Sequence, residues 1–196
     1  CTGQADKFDV DIVQLVRLIE DGKEVKMSKR SGNAIGMIEL AQEVGIDAVR
    51  YFFAQRAGSS HFDFDLTLAK SKSNDNPVFY VQYAHARICS ILRSSTIDET
   101  VDNYDLLTHE KELELLKYIH EFTNVVADAA KNRAPNKMCN YIQKLASLFH
   151  SFYGACKVID NEHPQRSAQR LDLLRACQIT LRNALWLIGV EAPEKM

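Results

Sequence analysis

Two lysines flank a serine at Lys26, Ser28 and Lys29, and the polar residues that follow include Gly32. Ammonium groups placed around a hydroxyl suit a polyphosphate. Charge collects on the β- and γ-phosphate oxygens as pyrophosphate leaves, and fixed cations there lower the barrier. A loop that closes over the triphosphate and then opens releases the product. The alternative is a solvated basic loop, and a four-residue motif alone favours neither interpretation.

The residues before this loop predict a β-hairpin that positions it. Residues 13–19 are largely apolar, Asp21-Gly22 is a turn dipeptide, and alternation resumes over residues 23–27. Asp-Gly between two such runs is typical of a hairpin turn. Residues 28–33 are polar and are predicted to form a mobile loop.

Beyond residue 38 the pattern predicts helices. Residues 38–44 form a short helix that Gly45 ends in a left-handed cap, and residues 47–57 form a second helix. Residues 59–65 alternate, which predicts a connector that packs Phe62 and Phe64. Asn76-Pro77 is typical of a helix start, because Asn caps the free N–H groups and Pro suits the first helical position.

Four longer helices are predicted from apolar stripes at helical spacing, so the fold is expected to be mainly α, a helical bundle that follows a short β-hairpin. Trp186 and Tyr141 are interpreted as core residues. The stripes are Val81, Ala84, Ile88 and Leu92; Leu115, Ile119, Phe122, Val126 and Ala129; Ile142, Leu145, Phe149 and Phe152; and Leu174, Cys177, Leu181, Leu185 and Ile188, with Gly189 as the stop.

Composition limits the classes of function. The net charge is −2, with an acidic stretch over residues 98–121 and a basic excess beyond residue 131. The basic third could follow a phosphate backbone, although basic helix exteriors are usually just solvated. Five cysteines without a C-x-x-C pair are expected to be reduced thiols, so no metal site is predicted. No run is long enough to cross a membrane, and a cytoplasmic protein is expected.

Tyr80, Tyr83 and Arg87 share one face of a predicted helix, roughly opposite Val81 and Ile88. Two rings and a guanidinium form a platform for unstacked bases, which is how single-stranded RNA is usually recognised. The alternative is that the tyrosines pack against a neighbouring helix with their hydroxyls at the rim. Histidines such as His150 have no nearby carboxylate and nucleophile in the sequence pattern that would indicate catalysis.

Several segments together resemble a known family. Residues 26–33 read Lys-Met-Ser-Lys-Arg-Ser-Gly-Asn, and residues 21–25 before them read Asp-Gly-Lys-Glu-Val. This segment resembles the signature loop of class I aminoacyl-tRNA synthetases, specifically the arginyl enzymes. The resemblance continues through residues 45–53 and through residues 73–87, which contain a Tyr-x-x-Tyr-Ala-His-x-Arg helix, and the last ten residues are similar to that family's C-terminus.

The resemblance implies three segments: the end of a Rossmann-type catalytic domain at residues 1–34, a helical connector at 35–72, and a DALR-type anticodon-binding domain at 73–196. It implies that Lys26 and Lys29 contact ATP phosphates while Ser28 shapes the loop, although many arginyl enzymes carry a degenerate form of this loop. The implied anticodon contacts are Tyr80, Tyr83, Arg87, Tyr153 and Met196. Lys157 occupies a position that can be aromatic in the family, so a phosphate contact is expected there.

The implied partners are tRNA(Arg), with ATP, Mg and L-arginine used by a longer enzyme, and a monomer is expected. The chain has no initial Met and lacks the His-x-Gly-His motif of class I synthetases. We therefore expect a C-terminal segment that does not form arginyl-adenylate alone and binds no cofactor tightly. A non-catalytic helical RNA-binding module and a protein-interaction domain are the competing hypotheses.

Overall fold

A computed structural model describes residues 10–25 and 36–196. A small sheet is formed by β1 (Val16–Glu20), β2 (Lys23–Glu24) and β3 (Phe62–Asp65), in the order β2-β1-β3. β1 and β2 pair antiparallel around Asp21 and Gly22, which both have positive φ. Positive φ at both central residues is what a two-residue hairpin turn requires. The predicted hairpin is therefore confirmed.

The segment predicted as a connector before residue 65 is instead a strand. β3 pairs with β1 in parallel, with Val16 opposite Phe62 and Leu18 opposite Phe64. Parallel strands need a long crossover, which here contains α1 (Met37–Val44) and α2 (Ile46–Ala54). The alternation was correctly recognised, but its pairing partner lies more than forty residues away along the chain. Phe62 and Phe64 are buried as predicted.

Gly45 ends α1 and begins α2. Its φ of 89° confirms the predicted need for a residue that tolerates positive φ, but its ψ of 146° is not that of a left-handed helical cap. α2 ends at Ala54, three residues before the predicted end at residue 57.

The rest of the chain is helical. A short helix, α3 (Leu66–Lys70), follows β3 directly, and five longer helices form the bundle. The apolar stripes predicted for these helices are largely buried, and they share one core with the sheet. Four cysteines lie buried and unpaired, as expected, whereas Cys1 lies outside the described residues. The bundle helices are α4 (Pro77–Ser94), α5 (Glu110–His120), α6 (Phe122–Lys131), α7 (Asn136–Ala155) and α8 (Pro164–Leu187).

The stripe from Leu115 to Ala129, predicted as one helix, is divided between α5 and α6 at Glu121. The Tyr118 carbonyl accepts two hydrogen bonds, one from the Tyr141 hydroxyl at 2.9 Å and one from the Glu121 N–H at 3.2 Å. The three-residue spacing of the second bond interrupts the four-residue spacing of an α-helix. The two helices were predicted as one because the Tyr141 contact at the break comes from a distant part of the chain, which local sequence does not reveal.

Trp186 was wrongly predicted to lie in the core, because its side chain is 74% exposed. The stripe on α8 passes through Leu181 and Leu185, which are fully buried. Trp186 follows Leu185 by one residue, or about 100° around the helix, so it points outward. Tyr141 is buried, as predicted.

The observed fold is mainly α with a preceding β-hairpin, which confirms the predicted class. Boundaries at residues 34/35 and 72/73 stay predictions. Within the described part of the chain, no helix has the length and apolar character needed to cross a membrane.

Candidate nucleic-acid interface

The start of α4 is fixed by Asn76 and Pro77. The Asn76 side chain accepts from the N–H groups of Val78 at 3.1 Å and Phe79 at 3.5 Å, and Pro77 occupies the first turn. The Asn76 amide also donates to the Ala69 carbonyl at 3.1 Å and the Ser71 carbonyl at 2.8 Å. This buried residue therefore caps α4 and attaches it to the end of α3, as well as confirming the predicted helix start.

Tyr83 and Arg87 lie on the solvent side of α4. Tyr83 is 39% exposed and Arg87 is exposed, whereas Val81 and Ile88 are fully buried. One turn of helix separates Tyr83 from Arg87, so both side chains project to the same side. The predicted opposition to Val81 and Ile88 is therefore confirmed for Tyr83 and Arg87.

Arg87 reaches across to α7. Its Nη2 donates to the Tyr153 hydroxyl at 3.1 Å, and its Cζ lies 5.2 Å from the centre of that ring. Tyr153 remains 36% exposed. In the described residues no carboxylate forms an ion pair with Arg87, so its charge is available to an anion. A cation over a ring also holds both groups in place.

The rings of Phe79, Tyr83 and His150 continue this surface. Phe79 and Tyr83 stack with centroids 6.2 Å apart and planes 11° apart, and Tyr83 and His150 stack at 6.3 Å and 19°. We call the set Phe79, Tyr83, Arg87, His150 and Tyr153 the aromatic shelf. It brings together side chains from α4 and α7, of which Tyr83, Arg87 and Tyr153 are exposed while Phe79 and His150 are half-buried.

Tyr80 lies at the inner edge of the aromatic shelf and is half-buried. Its ring packs on the core and lies 5.1 Å from that of His150. Burial raises the pKa of its hydroxyl, and a hydrogen bond to Ser147 opposes that shift. Of the two tyrosines predicted to form an open platform, Tyr83 is thus the more accessible, and Tyr80 supports the surface from behind.

His150 was not predicted to be part of a site. Its Nε2 is buried with no hydrogen-bond partner among the described groups. Burial lowers the pKa of the imidazole, and the nearby positive charge of Arg87 lowers it further. The ring is therefore neutral near pH 7. Its position three residues before Tyr153 on α7 is the sequence signal that could have indicated it.

Met196 lies beside the shelf. It is 58% exposed and lines an open cleft of about 530 Å³ together with Phe79 and Gln82. Phe79 also stacks on Tyr83, so the cleft that Met196 lines borders the aromatic shelf. The structure thus places Met196 near the part of the shelf that contains Tyr83, although the two residues are more than one hundred positions apart in sequence.

Lys157 is exposed but not free. Its Nζ lies 2.9 Å from Asp160 Oδ1, and this hydrogen bond raises the pKa of the lysine and lowers that of the carboxyl. A phosphate would have to compete with Asp160 for the ammonium group. The phosphate contact at Lys157 stays a prediction.

Lys157 is not alone among the basic residues beyond position 131. Within the described residues, at least four of them, Lys157 included, carry ion pairs, and the Arg170–Glu112 pair is almost entirely buried, with Nε and Oε1 2.6 Å apart. These pairs favour the interpretation of the basic third as structural and solvated rather than as a continuous phosphate track. The four are Lys137 with Asp128, Lys157 with Asp160, Arg170 with Glu112, and Arg175 with Asp172.

Lys26, Ser28 and Lys29 lie outside the described residues, so the predicted ATP contacts stay predictions. In the described parts of the chain, one group of side chains is spaced to hold a cation: Asp160, Glu162 and His163. Asp160 already binds Lys157, and it lies 3.3 Å from His163 Nδ1. Exposed acidic clusters of this kind are common, and this one gives no reason to infer a metal.

Comparison with known proteins places the chain in a family. The family model described as the DALR anticodon binding domain matches residues 81–196, which contain most of the aromatic shelf. The chain belongs to this family of anticodon-binding domains.

The relatives of the chain are named as arginine–tRNA ligases. It is 53% identical over 198 residues to arginine–tRNA ligase 1 of Halalkalibacterium halodurans, covering 98% of this chain and 35% of the relative. It is also 53% identical over 195 residues to the arginine–tRNA ligase of Listeria monocytogenes, covering 97% of this chain and 35% of the relative. The chain thus spans about a third of the length of these relatives.

Solved structures give the same result. A Campylobacter jejuni structure described as an arginyl-tRNA synthetase matches with a TM-score of 0.80 and 31% identity, covering 94% of this chain and 40% of that one. The arginyl-tRNA synthetase of Thermus thermophilus matches with a TM-score of 0.70 and 26% identity, covering 91% of this chain and 34% of that one.

Proposed function

We propose that this chain supplies the anticodon-binding surface of an arginine–tRNA ligase, with tRNA(Arg) as its RNA partner. The observation that carries the proposal is the aromatic shelf, where exposed rings from two helices surround a guanidinium that has no carboxylate partner among the described residues. Membership of the DALR family supports the same conclusion.

The chemistry of the shelf suits unstacked bases. Every base has a flat π-face that stacks on an aromatic ring, and each such contact contributes about 1–3 kcal/mol. Tyr83 and Tyr153 expose ring surface, and Arg87 offers donors and charge to a phosphate or a base edge. An anticodon loop presents splayed bases on a charged backbone, which is the combination that these groups bind.

We further propose that residues 26–29 act on ATP only within a longer ligase. Lys26 and Lys29 would place cations against the triphosphate, and Mg and L-arginine would bind elsewhere in that enzyme. Adenylate formation, a monomeric state and a cytoplasmic location all belong to this proposal. Arginine-dependent exchange of pyrophosphate into ATP by the isolated chain would contradict the expected inactivity of this segment.

Binding of tRNA(Arg) transcripts at several salt concentrations tests the main proposal. We expect tighter binding of the native transcript than of one with a substituted anticodon, and affinity that falls as salt rises. Arg87→Ala should weaken binding and reduce the salt slope by about 0.7 if the guanidinium binds a single-strand phosphate.

Arg175→Ala is the matched control, because Arg175 is also exposed on a helix but is held by Asp172 at 2.5 Å. It should leave the salt slope nearly unchanged. Equal affinity for both transcripts with no salt dependence would instead favour a protein-interaction domain.

A further inference from the structure

The last eight residues leave the bundle at a sharp turn after α8. Gly189 has a φ of 69°, and a Cβ there would lie 2.3 Å from Arg50 Nε. Arg50 Nε in turn donates to the Ile188 carbonyl at 3.4 Å. The positive φ favours glycine at this turn, which directs residues 190–196 towards α2 and α4.

The first part of this segment is held by Asp47 and Gln82. The Glu191 N–H donates to Asp47 Oδ1 at 3.2 Å, and Gln82 Nε2 donates to the Glu191 carbonyl at 3.0 Å. Gln82 Nε2 also donates to Asp47 Oδ2 at 2.8 Å, which fixes the two side chains to each other. The segment thus adds backbone hydrogen bonds to two helices at once.

His85 holds the next part of the segment. Its Nδ1 lies 2.9 Å from the Pro193 carbonyl, and a carbonyl can only accept, so Nδ1 carries the proton. The His85 side chain is almost completely buried, with 1% exposed. One residue further on, Arg93 Nη2 donates to the Glu194 carbonyl at 3.0 Å.

His85 follows Tyr83 by two residues on α4 and faces the other way, towards the terminal segment rather than the aromatic shelf. Met196 is the third residue after Pro193, and three residues span at most about 10–11 Å when extended. Fixing the Pro193 carbonyl therefore confines Met196 to the neighbourhood of the cleft that it shares with Phe79 and Gln82.

We propose that His85 is a positioning residue for RNA binding: it fastens the C-terminal segment to α4 so that Met196 stays beside the aromatic shelf. This inference rests on the proposed function. His85 is too buried to touch RNA, so its effect on binding is indirect, and the segment that it holds is the route that we propose. The contribution of His85 to affinity then depends on the presence of Met196.

A double-mutant comparison on the full chain tests this dependence with a tRNA(Arg) transcript. His85→Ala and deletion of Met196 should each weaken binding, by about tenfold if one base contact is lost. Combining them should weaken binding no further than the deletion alone. His85→Asn should restore affinity, because its amide places an N–H near the position of Nδ1.

Tyr141→Phe is the matched control. It also removes one hydrogen bond from a side chain to a backbone carbonyl, but between α7 and α5 and away from the C-terminal segment. It should leave RNA affinity unchanged. A loss from His85→Ala that is equally large with and without Met196 would overturn the inference and assign His85 a purely structural role.

Digestion with a carboxypeptidase provides a second measurement that needs no RNA. Release of Met196, followed by mass spectrometry at a temperature where all variants are folded, should be faster in His85→Ala and unchanged in His85→Asn and Tyr141→Phe. Unchanged release in His85→Ala overturns the inference. Release of Met196 could be faster in His85→Ala while the wild-type chain binds native and anticodon-substituted transcripts equally. In that case His85 does hold the C-terminal segment, and only the proposed function fails.

Discussion

Helix α7 carries two tyrosines, twelve residues apart, in contrasting environments. Tyr141 is 2% exposed, its ring stacks on Tyr118 with centroids 4.8 Å apart, and its hydroxyl donates to the Tyr118 carbonyl. Tyr153 is exposed, and its hydroxyl accepts from Arg87 on α4. Both rings contact a partner on a neighbouring helix. Only one of them has ring surface left for a ligand.

The contrast shows that the type of hydrogen-bond partner differs between the ring enclosed in the core and the ring that keeps exposed surface. Tyr141 satisfies its hydroxyl with a backbone carbonyl and encloses its ring, and burial raises its pKa well above the ordinary range. Tyr153 takes its hydrogen bond from a charged side chain that stays in water. Twelve residues correspond to about three and a third helical turns, so the two side chains leave α7 in different directions.

The largest expected effect is that of Tyr141→Ala on stability. Removing a buried aromatic ring costs about 3–5 kcal/mol, which lowers the melting temperature of a domain of this size by on the order of 10 °C. Calorimetry measures the shift, and RNA affinity measured below the transition should stay close to that of the wild type. A loss of RNA affinity in the folded variant would remove the contrast between the two regions.

An intermediate effect is expected for Tyr83→Ala, and it should appear in RNA affinity rather than in stability. The loss of one stacking contact should weaken binding of a tRNA(Arg) transcript by about 5- to 150-fold. The melting temperature should change little, because much of the ring is exposed. Tyr83→Phe keeps the ring and serves as control, with affinity near that of the wild type. If Tyr83→Ala strongly destabilises the chain and leaves affinity intact, that ring belongs with Tyr141.

The smallest expected effect is the dependence of stability on pH that His150 causes. This side chain is half-buried, between enclosed Tyr141 and exposed Tyr153. Burial, aided by Arg87, lowers its folded-state pKa below 6.5, so the unfolded chain binds the proton more readily. Stability should therefore fall as pH drops through about 6.5 towards the lowered value. Melting temperatures between pH 8 and pH 5 should fall less steeply for His150→Asn than for the wild type. An identical slope would show that this imidazole does not titrate differently on folding.

His85 must be included in that experiment, since burial also lowers its pKa, with Arg182 acting in the same direction and Glu194 and the Pro193 carbonyl opposing. His85→Asn alone and combined with His150→Asn separate the two contributions. The combined variant should have the shallowest dependence of all.

Local signals allowed much of the fold to be predicted. Asn76-Pro77 identified the start of α4, the apolar stripes identified the bundle, and Asp21-Gly22 identified the hairpin, because each depends on neighbours within a few residues. The parallel pairing of β3 with β1 and the break at Glu121 depend on distant partners. No local pattern contains that information.

The candidate site also contains residues that local spacing predicts and residues whose role depends on how distant helices pack. Tyr83 and Arg87 were placed by helical spacing, and the structure leaves both exposed. His150 was missed because a histidine without a carboxylate partner has no catalytic pattern, and its ring environment appears only when α4 packs on α7. The pairing of Lys157 with Asp160, by contrast, spans only three residues, but it requires the turn that the chain makes after α7.

The double attachment of Asn76 has a practical consequence for protein production. Its amide donors end on the carbonyls of Ala69 and Ser71, both of which lie before residue 73, the predicted first residue of the helical domain. A truncation starting there would discard both acceptors and loosen the first turn of the helix that carries Tyr83. A shortened version intended for RNA titration or NMR should therefore begin upstream of Ala69, so that the anchoring turn is retained.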